Sequence, residues 1–181
     1  MQKVRQEKLI CTDEERINQF LSHARTGYLG LTDKEIPYVV PLNFVWLNEA
    51  LYFHGAAQGR KIDLIQTNPN CCFTVSEDYG TMVSPIPAKT DTAYMSVMLF
   101  GALEKISDLK EATAAMQAML DKYVPGYYVK TLSQSHVEKY RSSLGSHTVV
   151  FKLSPSARTA KENQLDSELA FYPGRKAEMD V

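Results

Sequence analysis

The segment Tyr38-Val39-Val40-Pro41-Leu42-Asn43-Phe44-Val45-Trp46, followed by Leu51-Tyr52-Phe53-His54-Gly55-Ala56-Ala57-Gln58-Gly59-Arg60-Lys61, decides the fold. Both stretches are rich in β-branched and aromatic residues and read as strands. The second runs into a short helix over 56–67, whose first turn carries Gly59, Arg60 and Lys61. A helix start offers N–H groups without intrahelical partners and the positive end of the dipole. Two adjacent cations add charge-assisted donors suited to a phosphate. Gly59 removes the side chain where a ligand would approach. Two apolar strands feeding such a pole imply a ligand with a flat apolar body and a phosphate tail. The plain alternative is an exposed basic pair, although a cation at that helix end is mildly unfavourable.

Working outward, Thr12-Asp13-Glu14-Glu15 reads as a capping box opening a helix over 13–24, with Ile17, Phe20, Leu21 and Ala24 on one stripe. A short strand follows over 26–32. Ile36–Leu47 reads as one strand, and Pro37 and Pro41 place it at an edge, a bulge or a ligand-facing opening. Cys71–Glu77 is the next strand. Residues 78–92, with Gly80, Pro85 and Pro87, read as a long loop. Ala93–Ile106 is a long strand, and Asp108 caps a helix over 109–123. A short helix is expected over 135–142 and a last strand over His147–Leu153. The organisation is one domain over 1–156 and a polar, loosely held extension over 157–181. Unaided, this pattern means a small barrel or an α+β sheet, mainly β.

Lys and Arg total 20 and Asp and Glu 21, which excludes the basic excess that a nucleic-acid groove needs. It equally excludes electrostatic docking on an anionic membrane. The first ten residues lack the apolar run of a signal peptide. The longest strongly apolar stretch, near 38–47, is too short to span a bilayer. A soluble, cytoplasmic protein is expected. Cys11, Cys71 and Cys72 form no disulfide or zinc pattern, and no metal site stands out. Cys71 and Cys72 are adjacent on a strand, so they point to opposite faces.

Taken in order, Tyr38–Trp46, Leu51–Ala56, Gly59-Arg60-Lys61, Asn68-Pro69 and Ser96-Val97-Met98-Leu99-Phe100-Gly101 resemble the FMN-binding split-barrel family. Pyridoxamine 5′-phosphate oxidase is its best-known member, and the likeness is nearest to the Nim-type nitroimidazole-resistance reductases. The resemblance implies a six-stranded antiparallel split β-barrel with flanking helices, which dimerises and holds FMN between its subunits. It implies that Val39, Val40, Pro41, Leu42 and Asn43 lie against the flavin ring. It assigns Gly55, Gly59, Arg60 and Lys61 to the cofactor, and Ser96 to a contact from the partner subunit. The oxidases carry Arg at the place of Tyr38 and Lys at the place of Asn43, so the oxidase activity itself is not expected.

His54 ends a strand beside the phosphate pole, where the Nim-type likeness puts a His next to the flavin. Its ordinary pKa of about 6.5 suits proton transfer near neutrality. It is expected to bind cofactor and to act as the catalytic proton donor, its ring facing the flavin cavity. The first functional reading is a homodimeric FMN-dependent reductase of a small electron-poor compound, with a nicotinamide as electron donor. Two rivals remain open: a flavin or haem carrier of the same fold, with His54 as a candidate axial ligand, and a deazaflavin-dependent reductase.

Overall fold

The structure is a computed structural model and describes residues 5–141 and 145–181. Residues 1–4, which open the expected N-terminal segment, and residue 142, the expected end of the last short helix, lie outside the described residues. The strands are β1 (Thr26–Asp33), β2 (Ile36–Asn43), β3 (Val45–Leu47), β4 (Ala50–Ala56), β5 (Asn70–Met82), β6 (Asp91–Lys105), β7 (Thr148–Leu153) and β8 (Ala157–Asn163). The helices are α1 (Glu14–His23), α2 (Arg60–Thr67), α3 (Leu109–Tyr123) and α4 (Gln134–Lys139). The strand order is β2-β1-β5-β6-β7-β4-β3, with β8 also paired to β6, and all pairings are antiparallel.

This is a split barrel. One half holds β2, β1, β5 and β8, the other β3, β4 and β7. β6 serves both, pairing β5 and β8 along Tyr94–Phe100 and β7 at Leu103–Lys105. The chain also crosses between halves at Phe44, which lies between β2 and β3 and belongs to neither ladder.

Strand alternation builds two cores. Inside the barrel, Phe44, Phe53 and Phe73 are completely buried. Phe53 stacks on Phe151 at 5.2 Å, and Phe44 meets Phe73 edge-on at 5.4 Å. Such ring pairs contribute about 0.5–1.5 kcal/mol beyond the area they bury. On the other face of β3, β4 and β7, Tyr52, Val45 and Val150 pack under α3 through Ala112, Ala115, Met116 and Met119.

Several expectations are corrected. Eight strands replace six, because Phe44 splits the expected strand 36–47 and β8 is added. α1 is capped by Asp13, whose carboxylate accepts the Arg16 N–H, and not by Thr12. The long loop shrinks to 83–90, because the polar segment Asp78–Met82 continues β5 past a bulge between Asp78 and Gly80. The extension over 157–181 is not loosely held. Ala157–Asn163 pairs with β6, and Arg16–Glu162 and Arg158–Glu14 ion pairs fasten it to α1. Beyond it, the Phe171 N–H donates to the Thr81 carbonyl, and Arg175 clamps Asp180 and the Ala170 carbonyl. Among the described residues, no helix is long and apolar enough to cross a membrane.

Because β8 covers one side of β6, a chain ending at residue 156 leaves that strand's N–H and C=O row exposed. Such a truncation is expected to aggregate or to melt well below the full chain in circular dichroism. An unchanged melting temperature would show that β8 is dispensable.

Candidate functional site

β2 ends the strand order and pairs only with β1 among the described residues. Both of its prolines therefore fall on an edge, where a missing N–H is tolerated. Its side chains alternate. Tyr38, Val40 and Leu42 are half-buried against the barrel core, while Val39, Pro41 and Asn43 are exposed on the outer face. The five residues expected along a flavin thus present two faces and a free backbone edge.

α2 begins where β4 ends. Gly59, its N-cap, has φ +109°, a left-handed conformation that favours glycine, and no side chain caps the helix. The Ile62 and Asp63 amides bond the Gly59 carbonyl, which leaves the open first turn at Arg60 and Lys61. Arg60 reaches across to β1 and β2, donating to Asp33 Oδ2 at 2.9 Å with its guanidinium 4.9 Å from the Tyr38 ring centre. The Asp33 and Tyr38 partnership carries no signal in local sequence, since both residues reach Arg60 only through the β1–β2 hairpin.

Lys61 folds inward instead. Its Nζ lies 5.4 Å from the Phe53 ring centre and 3.0 Å from where a Gly55 side chain would begin. Gly55 is therefore the cradle that lets the amine approach the strand. The amine is half-buried, and no carboxylate pairs with it among the described residues. Burial pushes its pKa below the usual lysine value. A cation desolvated without a counter-ion is an arrangement that an anion would relieve. A phosphate therefore fits the residues at this position.

His54 lies against α3. On β4, Leu51 and Phe53 enter the barrel, while Tyr52 and His54 point to the opposite face. Its Nδ1 sits 3.2 Å from the Met119 sulfur on α3. The imidazole consequently turns away from the side that holds Gly55 and Lys61, because the strand's parity is fixed by Phe53 in the core. A thioether only accepts, so this contact puts the proton on Nδ1 and leaves Nε2 an acceptor. Burial, then the Lys61 charge, lowers its pKa, which favours the neutral ring. Neutral His54 thus offers Nε2 as an acceptor.

Ser96 points outward from β6, opposite Ser76 and Lys161, with β1 and β5 between it and β2. Three strand spacings put it roughly 14 Å from β2, so one chain does not bring it to that edge strand. The outer face it shares is broad and apolar: Tyr28, Val39 and Met98 are 46%, 61% and 37% exposed. Met98 belongs to this surface, whereas Met95 is buried. Cys72 is on the same face. Cys71 turns toward the core, where burial raises its thiol to about 12. Among the described residues, no group of three His, Cys, Asp or Glu could hold a metal.

A family model described as pyridoxamine 5′-phosphate oxidase matches residues 13–162. The chain belongs to this flavin-binding family. Comparison with curated proteins finds no match. Among solved structures, the flavocytochrome Anf3 from Azotobacter vinelandii superposes with a TM-score of 0.74 at 24% identity, covering 92% of this chain and 76% of that one. A candidate 5-nitroimidazole antibiotic resistance protein from Bacteroides thetaiotaomicron gives 0.65 at 28% identity, covering 84% and 86%. A FAD and haem binding protein from Mycobacterium smegmatis gives 0.70 at 18% identity, covering 87% and 76%.

Lys61 makes a pH prediction. Its folded pKa is lowered, so the folded state disfavours the charged form. That cost is fully present below the folded pKa and is relieved as pH rises toward the unfolded value. A phosphate monoester, with its second pKa at about 6, is a dianion above pH 7. Affinity for such a ligand should therefore fall as pH climbs through the lowered Lys61 pKa. Lys61→Met should flatten that dependence and raise the stability of the free protein at pH 7. Fluorescence titrations with FMN across alkaline pH would check it, and parallel slopes for both proteins would refute it.

Proposed function

We propose that the protein is a homodimeric, FMN-binding oxidoreductase that reduces a small electron-poor compound. The observation that carries this reading is the Lys61 amine, half-buried, without a carboxylate partner among the described residues, and held at the uncapped start of α2. Lys61, the α2 amides and Arg60 would hold the phosphate. The free edge of β2 supplies backbone N–H and C=O groups for a flat heterocycle, with Val39, Pro41 and Asn43 beside it. FMN held there would supply hydride chemistry between a nicotinamide donor and the substrate. The chain's own part is to orient that ring, exclude water and accept hydrogen bonds. His54, on the α3 side of β4, would act on the site through the charge balance with Lys61 and not by contact with the ring. The 28% identity to a candidate nitroimidazole resistance protein supports a nitroaromatic as substrate class.

Arg60 can change partners at little cost. An exposed ion pair such as Arg60–Asp33 contributes about 0–1 kcal/mol, whereas a charge-assisted bond to a phosphate contributes roughly 1.5–3 kcal/mol. Arg60→Ala with Lys61→Ala should give a folded, colourless protein, with FMN affinity weakened by well over tenfold. Retention of a full complement of FMN would defeat the phosphate assignment. The visible spectrum of the purified protein and the mass of its extracted cofactor separate FMN from FAD, deazaflavin and haem.

The outer face of β2, β1, β5, β6 and β8 supports the dimer. Its residues are nearly all neutral, and it carries Ser96 to where a second chain would need it. Obligate interfaces of this kind bury above about 2,000 Å² in total. Tyr28→Asp combined with Met98→Asp should yield monomers that lose FMN, as read by light scattering and absorbance. A wild-type monomer carrying full FMN would rule the arrangement out.

A further inference from the structure

Phe44 is the residue at which the chain leaves one half of the barrel for the other, so its backbone N–H and C=O have no strand partner. Both are nevertheless satisfied by one side chain from far along the sequence. The Phe44 N–H donates to Tyr123 Oη at 2.9 Å, and that hydroxyl lies 3.0 Å from the Phe44 carbonyl. The same hydroxyl also meets the Arg25 carbonyl just after α1. A phenol has a single proton, so the two carbonyls share it. Lys122 adds a lid, its Nζ 4.1 Å from the Phe44 ring centre and 3.3 Å from the Leu21 carbonyl. Arg25 lies over the Tyr123 ring at 4.9 Å. The last turn of α3 thus grips the corner that follows Asn43.

We propose that Tyr123 is a positioning residue for the flavin site: its hydroxyl replaces the missing ladder at Phe44 and fixes the Asn43 end of the edge strand β2. The inference rests on the proposed flavin reading for its ligand, but its mechanical part does not. An edge strand has one neighbour only, so β2 depends on β1 along its length and on Tyr123 at its end. Removing the hydroxyl leaves the Phe44 N–H without its partner and frees residues 42–44 to shift.

The test uses Tyr123→Phe, with Met116→Ala as a control. Met116 packs on the same helix in the second core, a cluster that includes neither Phe44 nor a β2 residue. Amide hydrogen exchange is measured on the free proteins, and FMN titration follows. In the wild type, the Phe44 amide should exchange as slowly as those of β5 and β6, although it lies outside any ladder. In Tyr123→Phe, the amides of Leu42 to Phe44 should exchange about tenfold faster or more, and the FMN Kd should rise about tenfold, the usual effect of leaving a buried donor unpaired. Met116→Ala should lower the melting temperature without either change. Fast exchange at Phe44 in the wild type, unchanged exchange in Tyr123→Phe, or equal effects in both variants would overturn the proposal. Should the wild type bind no flavin, the functional reading fails, while the exchange data still decide the role of Tyr123. Should Tyr123→Phe not fold, the wild-type Phe44 amide decides alone.

Discussion

The stack of Phe44, Phe53, Phe73 and Phe151 joins two half-barrels that share the long strand β6. Phe73 comes from β5 in the first half, Phe53 and Phe151 from β4 and β7 in the second, and Phe44 from the corner between them. Losing any of these rings would leave a cavity of the kind that costs about 3–5 kcal/mol. With aromatic area turned inward, strand parity forces the next residues outward. The exposed sheet face with Tyr28, Val39 and Met98 and the position of His54 under α3 both follow from it. The site lies on this layer as well, since Lys61 rests on the Phe53 ring.

The sequence made the strand-to-helix joint legible because glycine, two cations and a following amphipathic turn occur in a fixed order. Asp108 and the Ala112–Met119 stripe made α3 legible for similar reasons. What local pattern did not carry was geometry set at long range. Phe44 and Val45 are both apolar, so the split between β2 and β3 leaves no gap in hydrophobicity. β8 reads as a polar tail because Arg158 and Glu162 fasten it by ion pairs to α1, with Ala160 its one buried apolar residue. Asp78–Met82 looks like loop because Asp78 and Gly80 break the alternation, and the partners that cover it, Ala170 and Phe171, come from far along the chain. Thr12 and Asp13 are both good caps, and one residue of register separates them.

His54 shows the limit of placing a side chain by its neighbours in sequence. It is adjacent to Gly55, yet adjacency along a strand means opposite faces. Gly55 and Lys61 lie on the barrel side and His54 on the α3 side. The Lys61 charge still reaches it through the strand and favours its neutral form. A histidine of this kind takes part in electrostatics without touching the anion.

Lys61 and Arg60 divide their work by the same geometry. Net charge is −1, so no broad positive field gathers anions toward the pole. Attraction must come from a local cation, and a solvated one would be screened within about 8–10 Å at ordinary ionic strength. Burial over Phe53 and Gly55 removes much of that screening from Lys61, at the expense of its proton affinity. Arg60, exposed and parked on Asp33 and Tyr38, offers a planar guanidinium that fits a phosphate in a fork. One cation is thus strong because it is desolvated and the other dependable because it is not, and the helix start between them orients whatever anion both can reach.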